Sequence, residues 1–318
     1  MRVVVFGYMT WGHRTLEAVL AAGHEVVLVV THPQGDDPYE RIQPDSVADL
    51  AAAHGIPVLV RHRADDAEVH EAVAAARADA AVVANWRTWI PPSVFTLPRL
   101  GTLNVHDALL PAYAGFAPLN WALINGEPEV GVTAHVMDEE FDAGDIVLQR
   151  ATAVTDDDTI VELLDRTTDM FGPIAVDGLA LLERGESAPL PQDRKQAGYF
   201  HKRGEDENRI DWTWPARDIV NLVRAQLDPY PNAFCYAGRE RLRVLRASLT
   251  ETAYGGTPGR IALRQGRDGV IVVAGPDARR GRNPGLVVER VRTDDGRELA
   301  AGEYFRRLGG YLTSHPAS

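Results

Sequence analysis

Apolar runs and helix-like segments alternate along the first half of the chain. The runs are rich in Val and Ala and almost free of polar residues, as in strands that are covered on both faces of a sheet; they span residues 2–7, 25–31, 57–60, 80–84 and 101–105. Between them, the spacing of apolar residues predicts helices over residues 13–22, 45–54 and 67–76. Strands that alternate with helices form parallel sheets, so the pattern predicts an α/β domain with a doubly wound, mostly parallel sheet.

The pattern changes after this domain. Two strands at residues 130–137 and 146–149 have no helix between them and extend the sheet, and a long amphipathic helix over residues 159–182 closes the domain. A polar stretch with Pro189 and Pro191 is typical of a linker. Beyond it, a helix precedes short strands between Gly and Pro turns, which predicts a small barrel or sandwich; the helix is 216–226 and the strands are 233–236, 242–249, 259–263, 269–273 and 286–291. The expected division is 1–184, a linker over 185–204, and 205–318.

Composition narrows the class of protein. Cys235 is the only cysteine in 318 residues, so an internal disulfide and a four-cysteine zinc site are excluded, and no metal is expected. No apolar run approaches the length of a membrane helix, and Met1 is not followed by the long apolar stretch of a signal peptide. We therefore expect a cytoplasmic protein without a membrane partner.

Charge is unevenly distributed around a net value of −12. The chain before Lys202 has 13 basic and 30 acidic residues, while the chain from Lys202 onward has 20 and 15. An acidic first domain attracts polyanions poorly, although acidity also serves solubility alone. A nucleic-acid partner is thus disfavoured for the first domain.

Polar side chains are placed where a parallel sheet binds its ligands. Asn104 and His106 come at the carboxyl end of a predicted strand and share one face, and Asp142 follows a separate strand in a small-residue turn. A histidine can move protons, an aspartate can fix its tautomer, and an asparagine can donate to an oxyanion. The three residue types suit acyl transfer, although a strand-end histidine and a turn aspartate are commonly structural.

Several sequence blocks in order resemble the folate-dependent formyltransferases. They are Leu103-Asn104-Val105-His106, Leu109-Leu110-Pro111, Gly115-Phe116-Ala117-Pro118, Gly131-Val132-Thr133, Met137-Asp138 and Asp142-Ala143-Gly144-Asp145. Tyr199-Phe200-His201-Lys202 and Arg209-Ile210-Asp211-Trp212 resemble the start of the C-terminal domain of methionyl-tRNA formyltransferases. The resemblance covers nearly the whole chain.

This resemblance implies a catalytic α/β domain followed by a small open β-barrel, with 10-formyltetrahydrofolate as the formyl donor. Asn104, His106 and Asp142 match the catalytic trio of the family. One wall of the folate site is expected at Trp86, Arg87, Thr88, Trp89 and Ile90, largely through backbone groups, and the other at Met137 and Asp138. Core packing is the competing interpretation for both tryptophans.

The resemblance leaves the acceptor amine open. In the methionyl-tRNA branch two loops are basic, whereas here Ala112-Tyr113-Ala114 lacks a cation and residues 32–41 are net acidic, which removes phosphate anchors. The segments 7–13 and 85–89 resemble actinobacterial enzymes that formylate N5-hydroxyornithine for hydroxamate siderophores. We therefore expect a small amine or hydroxylamine acceptor and no tRNA, with Tyr8, Trp11 and Trp121 as candidate contacts, unless these three only pack in the core.

Other functions remain as alternatives. They are methionyl-tRNA formylation, formylation of a nucleotide-linked amino sugar, to which Leu119-Asn120-Trp121 is similar, and hydrolysis of formyltetrahydrofolate if water replaces the amine. A dinucleotide oxidoreductase is disfavoured because residues 7–12 lack the Gly-x-Gly-x-x-Gly turn. Asp211-Trp212 and residues 239–246 could form an RNA-binding face, but the alternation of Arg with apolar residues in 239–246 is typical of a solvated strand. The oligomeric state stays open.

Overall fold

The computed structural model describes residues 1–35, 38–277 and 283–317, with the backbone alone for Pro38 and Tyr39. The chain divides into two compact units. The first unit comprises Met1–Leu119, Pro128–Val154 and Glu162–Lys202; the second comprises Asn120–Glu127, Thr155–Val161 and Arg203–Ser318. Within the described ranges, no helix combines the length and the apolar composition needed to cross a bilayer.

A seven-stranded sheet forms the centre of the first unit. Its strands are β1 (Arg2–Gly7), β2 (Glu25–Thr31), β3 (Val58–Val60), β4 (Ala80–Ala84), β5 (Thr102–His106), β7 (Glu129–Val136) and β8 (Ile146–Ala153), while β6 (Ala114–Gly115) pairs with β9 (Tyr199–Phe200) apart from it. The order is β3-β2-β1-β4-β5-β7-β8, parallel from β3 to β5 and antiparallel at β7 and β8. The predicted α/β class with a mostly parallel sheet is confirmed.

The described residues up to Arg184 contain six α-helices, and one begins earlier than the sequence pattern predicts. They are α1 (Met9–Ala21), α2 (Val47–Ala53), α3 (Ala67–Ala76), α4 (Pro92–Phe95), α5 (Pro118–Asn125) and α6 (Ile160–Arg184). Helix α1 starts at Met9 rather than at residue 13 because two glycines let its first turn lie against β1. A Cβ atom on Gly12 would come within 2.6 Å of the Gly7 carbonyl carbon, closer than any side chain tolerates.

The second unit contains an antiparallel sheet and short helices, and residues 120–125 of α5 also belong to it. Its elements are α7 (Ala216–Ala225), β10 (Phe234–Ala237), β11 (Glu240–Ala253), β12 (Ile261–Gln265), β13 (Gly269–Val272), β14 (Pro284–Arg292), β15 (Glu298–Ala300), α8 (Ala301–Tyr304) and β16 (Leu312–Thr313). The strand order is β12-β13-β14-β11-β10-β16. The end strands are joined as well, since Ile261 N–H donates to Gly310 O (2.9 Å) and Leu312 N–H to Gly259 O (2.8 Å). These bonds join the two end strands of the sheet, and the small β domain expected after the α/β domain is confirmed as an antiparallel sheet domain.

The predicted linker contains ordered contacts within the first unit. Leu190 and Ile146 exchange backbone hydrogen bonds of 2.8 and 2.9 Å, and β9 pairs with β6. The first unit thus extends to Lys202. The division into 1–184, 185–204 and 205–318 stays a proposal.

Candidate active site

Strand pairing brings four polar side chains to one place at the end of β5. In the antiparallel β5–β7 ladder, Asn104 is opposite His135 and His106 is opposite Thr133. Residues two positions apart on a strand point to the same face, so these four residues lie together on one face of the ladder. Two of them, Asn104 and His106, belong to the trio expected from the sequence.

His106 lies between a carbonyl and a carboxylate. Its Nε2 is 3.0 Å from Tyr113 O, a group that only accepts, so Nε2 carries a hydrogen. Its Nδ1 is 3.8 Å from Asp142 Oδ2, and the two side chains are 11% and 7% exposed. A proton taken up at Nδ1 would therefore lie beside the Asp142 carboxylate, in a site with little water to screen the attraction.

Three chain segments fix Asp142 in position. Its backbone has a left-handed φ of +52°, and the Gly115 N–H donates to its Oδ2 (2.9 Å). Gln192 Nε2 donates to the carbonyls of Asp142 (2.8 Å) and Gly144 (2.7 Å). Gly144 passes so close to β7 that an added Cβ would be 1.7 Å from Val136 O. The turn therefore has one available path, and this path aims the carboxylate at His106.

His135 is a site residue that the sequence reasoning missed. Its Nδ1 is 3.1 Å from Val136 O, so Nδ1 carries the hydrogen and Nε2 can accept. Asn104 Nδ2 donates to this Nε2 over 2.9 Å, which fixes the orientation of the amide. Burial lowers the pKa of His135 to about 4, although Asp142, 3.9 Å away, acts in the opposite direction. A neutral His135 thus keeps one N–H of Asn104 occupied and directs the other elsewhere.

A hydroxyl and an amide hold the chain that follows His106. Thr133 Oγ1 donates to Ala108 O (2.6 Å) and accepts from Leu110 N–H (3.1 Å). Gln149 Nε2 donates to Thr133 Oγ1 (2.9 Å) and to Leu110 O (2.8 Å). Asp107 lies in this segment, directly after His106. Burial raises the pKa of Asp107 to about 6, and a hydrogen bond from Thr167 acts in the opposite direction. The segment that leaves His106 is therefore anchored to β7 and β8.

The expected folate-binding segments include both buried and exposed side chains. Trp86 stacks on His32 (3.9 Å between centroids), Ile90 is buried in the core, and Met137 packs against that core. Thr88 Oγ1 donates to His62 O (3.2 Å), and Asp138 is exposed, with its carboxylate accepting from Glu139 N–H (2.6 Å). The core interpretation thus fits Trp86 and Ile90, and direct ligand contact by these residues stays a prediction.

An aromatic row stands next to Asp142. Trp89, Phe141 and Phe116 are 40%, 44% and 46% exposed, and their ring centroids are 5.9 Å (Trp89–Phe141) and 6.2 Å (Phe116–Phe141) apart. Phe141 directly precedes Asp142, and Phe116 follows the glycine that binds its carboxylate. Exposed aromatic faces of this kind fit the flat rings of a folate. Sequence spacing alone did not single out Phe116 and Phe141.

The three candidate acceptor contacts differ in their surroundings. The Tyr8 hydroxyl donates to the Glu40 carboxylate, and the Arg87 guanidinium lies 5.2 Å from the centroid of the Tyr8 ring. Trp11 is buried in the first turn of α1, and its Nε1 has no hydrogen-bond partner among the described residues. Trp121 belongs to the second unit, where Arg203 covers its ring at 4.3 Å. Acceptor contact by Tyr8, Trp11 and Trp121 remains a prediction.

Two family models match the chain in order. The formyl transferase model matches residues 1–176, and the model of the formyl transferase C-terminal domain matches residues 203–309. The chain belongs to the formyl transferase family. It is therefore an enzyme of folate-dependent formyl transfer, as the resemblance implied, and the predicted fold agrees with this membership.

Relatives of this formyl transferase have different acceptors. A methionyl-tRNA formyltransferase of Citrifermentans bemidjiense is 36% identical over 315 residues, which cover 98% of this chain and 94% of that protein. HypX of Aquifex aeolicus, solved in complex with tetrahydrofolic acid, is 21% identical with a TM-score of 0.59; the match covers 96% of this chain and 47% of HypX. WlaRD, a sugar 3N-formyltransferase solved with dTDP and 5-N-formyl-THF, is 16% identical with a TM-score of 0.64, covering 93% of this chain and 99% of WlaRD. The two solved structures share the fold with this chain.

Proposed function

We propose that this enzyme transfers the formyl group of 10-formyltetrahydrofolate to the nitrogen of a small amine or hydroxylamine acceptor in the cytoplasm, with N5-hydroxyornithine as the preferred acceptor. The observation that carries the proposal is the arrangement of Asn104, His106 and Asp142 at the end of β5, with His106 Nδ1 3.8 Å from Asp142 and Asn104 oriented by His135. In this arrangement Asn104 can donate a hydrogen bond to an oxyanion, and His106 can act as a base with Asp142 as its carboxylate partner.

Each side chain has a distinct task in the transfer. As the acceptor nitrogen attacks the formyl carbon, the formyl oxygen gains negative charge, which the N–H of Asn104 not bound to His135 stabilises. The acceptor nitrogen then loses its proton to His106 Nδ1, and Asp142 stabilises the imidazolium. His106 returns this proton to the departing folate nitrogen as its bond to the formyl carbon breaks. The products are the formylated acceptor and tetrahydrofolate.

The donor site is proposed between the two predicted walls. Residues 86–90 supply one wall, mainly through backbone groups, and Met137 and Asp138 supply the other. The exposed faces of Trp89 and Phe141 are suited to stack on the flat rings of the donor. Phe141 directly precedes Asp142, so a donor stacked on this ring would lie next to the reacting centre.

The small acceptor is supported by a lack of phosphate anchors. The loop at Ala112-Tyr113-Ala114 has no cation, and Tyr113 is engaged through its carbonyl with His106 and through its ring with Phe200. In the acidic loop over residues 32–41, Glu40 turns back to Tyr8 and Gly35; Asp36 and Asp37 of this loop lie outside the described residues. Cations that contact phosphates supply most of the affinity of a nucleic-acid-binding protein.

Arginines of the second unit are engaged by its own carboxylates. Arg241 pairs with Glu205 (2.8 Å), Arg246 with Glu289 (2.9 Å) and Arg217 with Asp156 (2.7 Å). Trp212, one of the residues that could face RNA, is buried. An arginine that is already paired with a carboxylate attracts a phosphate group less strongly. These pairs therefore support the interpretation of residues 239–246 as a solvated strand.

Methionyl-tRNA is the second candidate acceptor. It is favoured by the methionyl-tRNA formyltransferase that matches 98% of this chain at 36% identity, which is stronger support from similarity than the hydroxyornithine acceptor has. The lack of cations in the two loops favours the small acceptor, and the overall similarity favours methionyl-tRNA. A direct measurement of acceptor turnover distinguishes the two.

An acceptor screen with 10-formyltetrahydrofolate tests the proposal. N5-hydroxyornithine, methionyl-tRNA, a nucleotide-linked 4-amino sugar and water would be compared by tetrahydrofolate release and by product mass. His106→Ala is the site variant, and His70→Ala, an exposed histidine on α3, is the matched control. Turnover of hydroxyornithine that is lost only in His106→Ala supports the proposal. Turnover restricted to methionyl-tRNA or to the sugar would replace the acceptor, and release with water alone would indicate a hydrolase.

A further inference from the structure

The segment that the sequence predicts as a linker contacts both partners of the reacting centre. Residues 190–200 of this segment, called the strap below, lie entirely within the first unit. At the start of the strap, Leu190 and Ile146 exchange backbone hydrogen bonds of 2.8 and 2.9 Å, and Gln192 donates to the turn that carries Asp142. The start of the strap is therefore attached to the loop of this carboxylate.

The end of the strap is attached to a short segment beyond β5. Ala114 N–H donates to Gly198 O (2.8 Å), and Phe116 N–H donates to Phe200 O (2.9 Å). These bonds belong to the parallel pairing of β6 with β9. Residues 114–116 are therefore held in place by the strap.

The segment held by the end of the strap contacts both partners of the reacting centre. Tyr113 O is 3.0 Å from His106 Nε2 and accepts its hydrogen, and Gly115 N–H donates to Asp142 Oδ2 (2.9 Å). The Phe200 ring stacks on the Tyr113 ring with 4.7 Å between centroids. The strap thus reaches the imidazole through this segment and the carboxylate through both of its ends.

One side-chain amide bridges the turn that carries the carboxylate. Gln192 Nε2 donates to Asp142 O (2.8 Å) and to Gly144 O (2.7 Å), so both hydrogens of its NH₂ group are used. Asp142 has a φ of +52°, which is unfavourable for a residue with a side chain and persists only where the surroundings hold it. The Gln192 amide is one of the groups that hold this conformation.

We propose that Gln192 is a positioning residue for formyl transfer and that it acts through Asp142. The proposal rests on the roles proposed above for His106 and Asp142. Because the strap binds the turn of Asp142 at one end and the segment that accepts from His106 at the other, it sets the separation of the two side chains. Without the Gln192 amide, the turn loses two hydrogen bonds and its carboxylate can move away from the imidazole.

Two substitutions at Gln192 test this role with whichever acceptor the enzyme uses. Gln192→Leu removes both hydrogen bonds, and Gln192→Asn keeps the amide but shortens the side chain by one methylene, about 1.5 Å. The value of kcat should fall roughly 10- to 100-fold in Gln192→Leu and less in Gln192→Asn, because a displacement of about 1 Å can cost ~10²-fold in rate. Gln196→Leu is the matched control and should keep kcat. Gln196 is an exposed glutamine of the same strap, and its Nε2 donates to Asp193 (2.9 Å).

A double-mutant cycle distinguishes positioning from a general structural role. If Gln192 acts through Asp142, Gln192→Leu should cause no further loss of kcat in the Asp142→Asn enzyme. A general structural role would instead lower kcat by the same factor in both backgrounds. Thermal unfolding verifies that each variant folds, and the same cycle with Gln192→Asn applies if leucine prevents folding.

The outcomes separate this proposal from the proposed function. An undiminished kcat in Gln192→Leu, or an equal loss in both backgrounds, would overturn the positioning role and leave the role of Asp142 intact. A loss below tenfold in Asp142→Asn itself would overturn the role of Asp142, and the positioning role would fail with it. Since any accepted acceptor serves for the cycle, its result does not depend on whether that acceptor is hydroxyornithine.

Discussion

The end of β5 and the strand face of the second unit use charge in opposite ways. At β5, the His106–Asp142 separation of 3.8 Å is too long for a hydrogen bond, and both groups are largely buried. On β11 and β14, Arg292 reaches Asp228 at 2.5 Å and Glu298 at 2.7 Å, while Arg241 reaches Glu205 at 2.8 Å. The His106–Asp142 separation leaves room for a proton or a substrate atom, whereas the arginines of the second unit already contact their carboxylate partners directly.

This difference indicates where chemistry is to be sought in the chain. A short, partly exposed ion pair adds little to stability and has no spare capacity for a ligand. A buried imidazole and carboxylate that are too far apart to hydrogen-bond attract each other most strongly when the imidazole is protonated, and this happens during proton transfer. The predictions below test this contrast, from the largest expected effect to the smallest.

Loss of the carboxylate at the reacting centre should have the largest effect. Asp142→Asn keeps the size of the side chain but removes the charge that stabilises a protonated His106, so kcat should fall roughly 10³-fold. Steady-state turnover with the accepted acceptor measures the effect. Glu139→Gln, an exposed carboxylate on the same loop, is the control. A loss below tenfold in Asp142→Asn would mean that His106 works without its carboxylate partner.

A methyl group on Gly144 should act nearly as strongly through geometry. Its Cβ would come 1.7 Å from Val136 O, so the turn must move and carry Asp142 with it. Displacement of a catalytic group by about 1 Å can cost ~10²-fold in rate. Kinetics of Gly144→Ala would be compared with Gly255→Ala, where nothing lies within 4 Å of the added carbon. Equal activity in the two variants would show that the turn does not fix the carboxylate.

The orientation of Asn104 by His135 should be worth about tenfold in kcat. His135→Leu removes the acceptor that occupies one N–H of Asn104, so the amide can turn away from the formyl oxygen. His135→Gln can still accept through its side-chain oxygen and should restore most of the rate. The two variants distinguish an orienting role from a packing role. If His135 only packed in the core, the apolar leucine would be tolerated at least as well as glutamine.

Acid should destabilise the first unit through two buried histidines. Burial lowers the pKa of both His135 and His32 to about 4, against 6.5 in the unfolded chain. Between these values the unfolded chain binds more protons, so stability falls as the pH drops from 6.5 towards 4, by about 1 kcal/mol for each histidine near pH 5.5. Urea unfolding at pH 7.5 and 5.5 measures this loss, and His32→Gln should reduce it; an unchanged loss would exclude His32 as a cause.

Removal of a completed pair in the second unit should have the smallest effect. Arg246 pairs with Glu289 at 2.9 Å and is itself mostly exposed, so Arg246→Ala should change the free energy of unfolding by less than about 1 kcal/mol. Turnover of a small acceptor should not change. A weaker interaction with methionyl-tRNA in this variant, combined with a smaller salt dependence, would instead support tRNA as a partner.

Much of the fold follows from local pattern, since β1, β2, β4 and α3 have the predicted bounds or nearly so. The apolar strands are buried on both faces, and this burial is what their composition encodes. The start of α1 was missed because it depends on the close approach of Gly7 to Gly12, a tertiary contact. The helix cap at Ser46, whose hydroxyl accepts from Asp49 N–H, depends on neighbouring residues alone.

The candidate site shows the same limit. Asn104, His106 and Asp142 could be selected from sequence blocks in order, whereas His135 could not, because its role depends on the register that sets it opposite Asn104. Its position two residues after Thr133 in an otherwise apolar strand was the available signal. The contacts of Tyr8 with Glu40 and Arg87 also join residues far apart in sequence, and no local pattern announces them.

The joined end strands of the second unit have a consequence for how it opens. In a flat sheet an outer strand can peel away by breaking one ladder, but here the segment around Gly310 is bonded on one side to β12 while β16 is bonded on the other to β10. Opening the ring therefore breaks two sets of bonds at once, and the amides of β12, β10 and β16 should exchange with solvent together rather than one strand at a time. A chain cut before Gly309 would lose this property and expose two unpaired strand edges, each able to pair with another molecule.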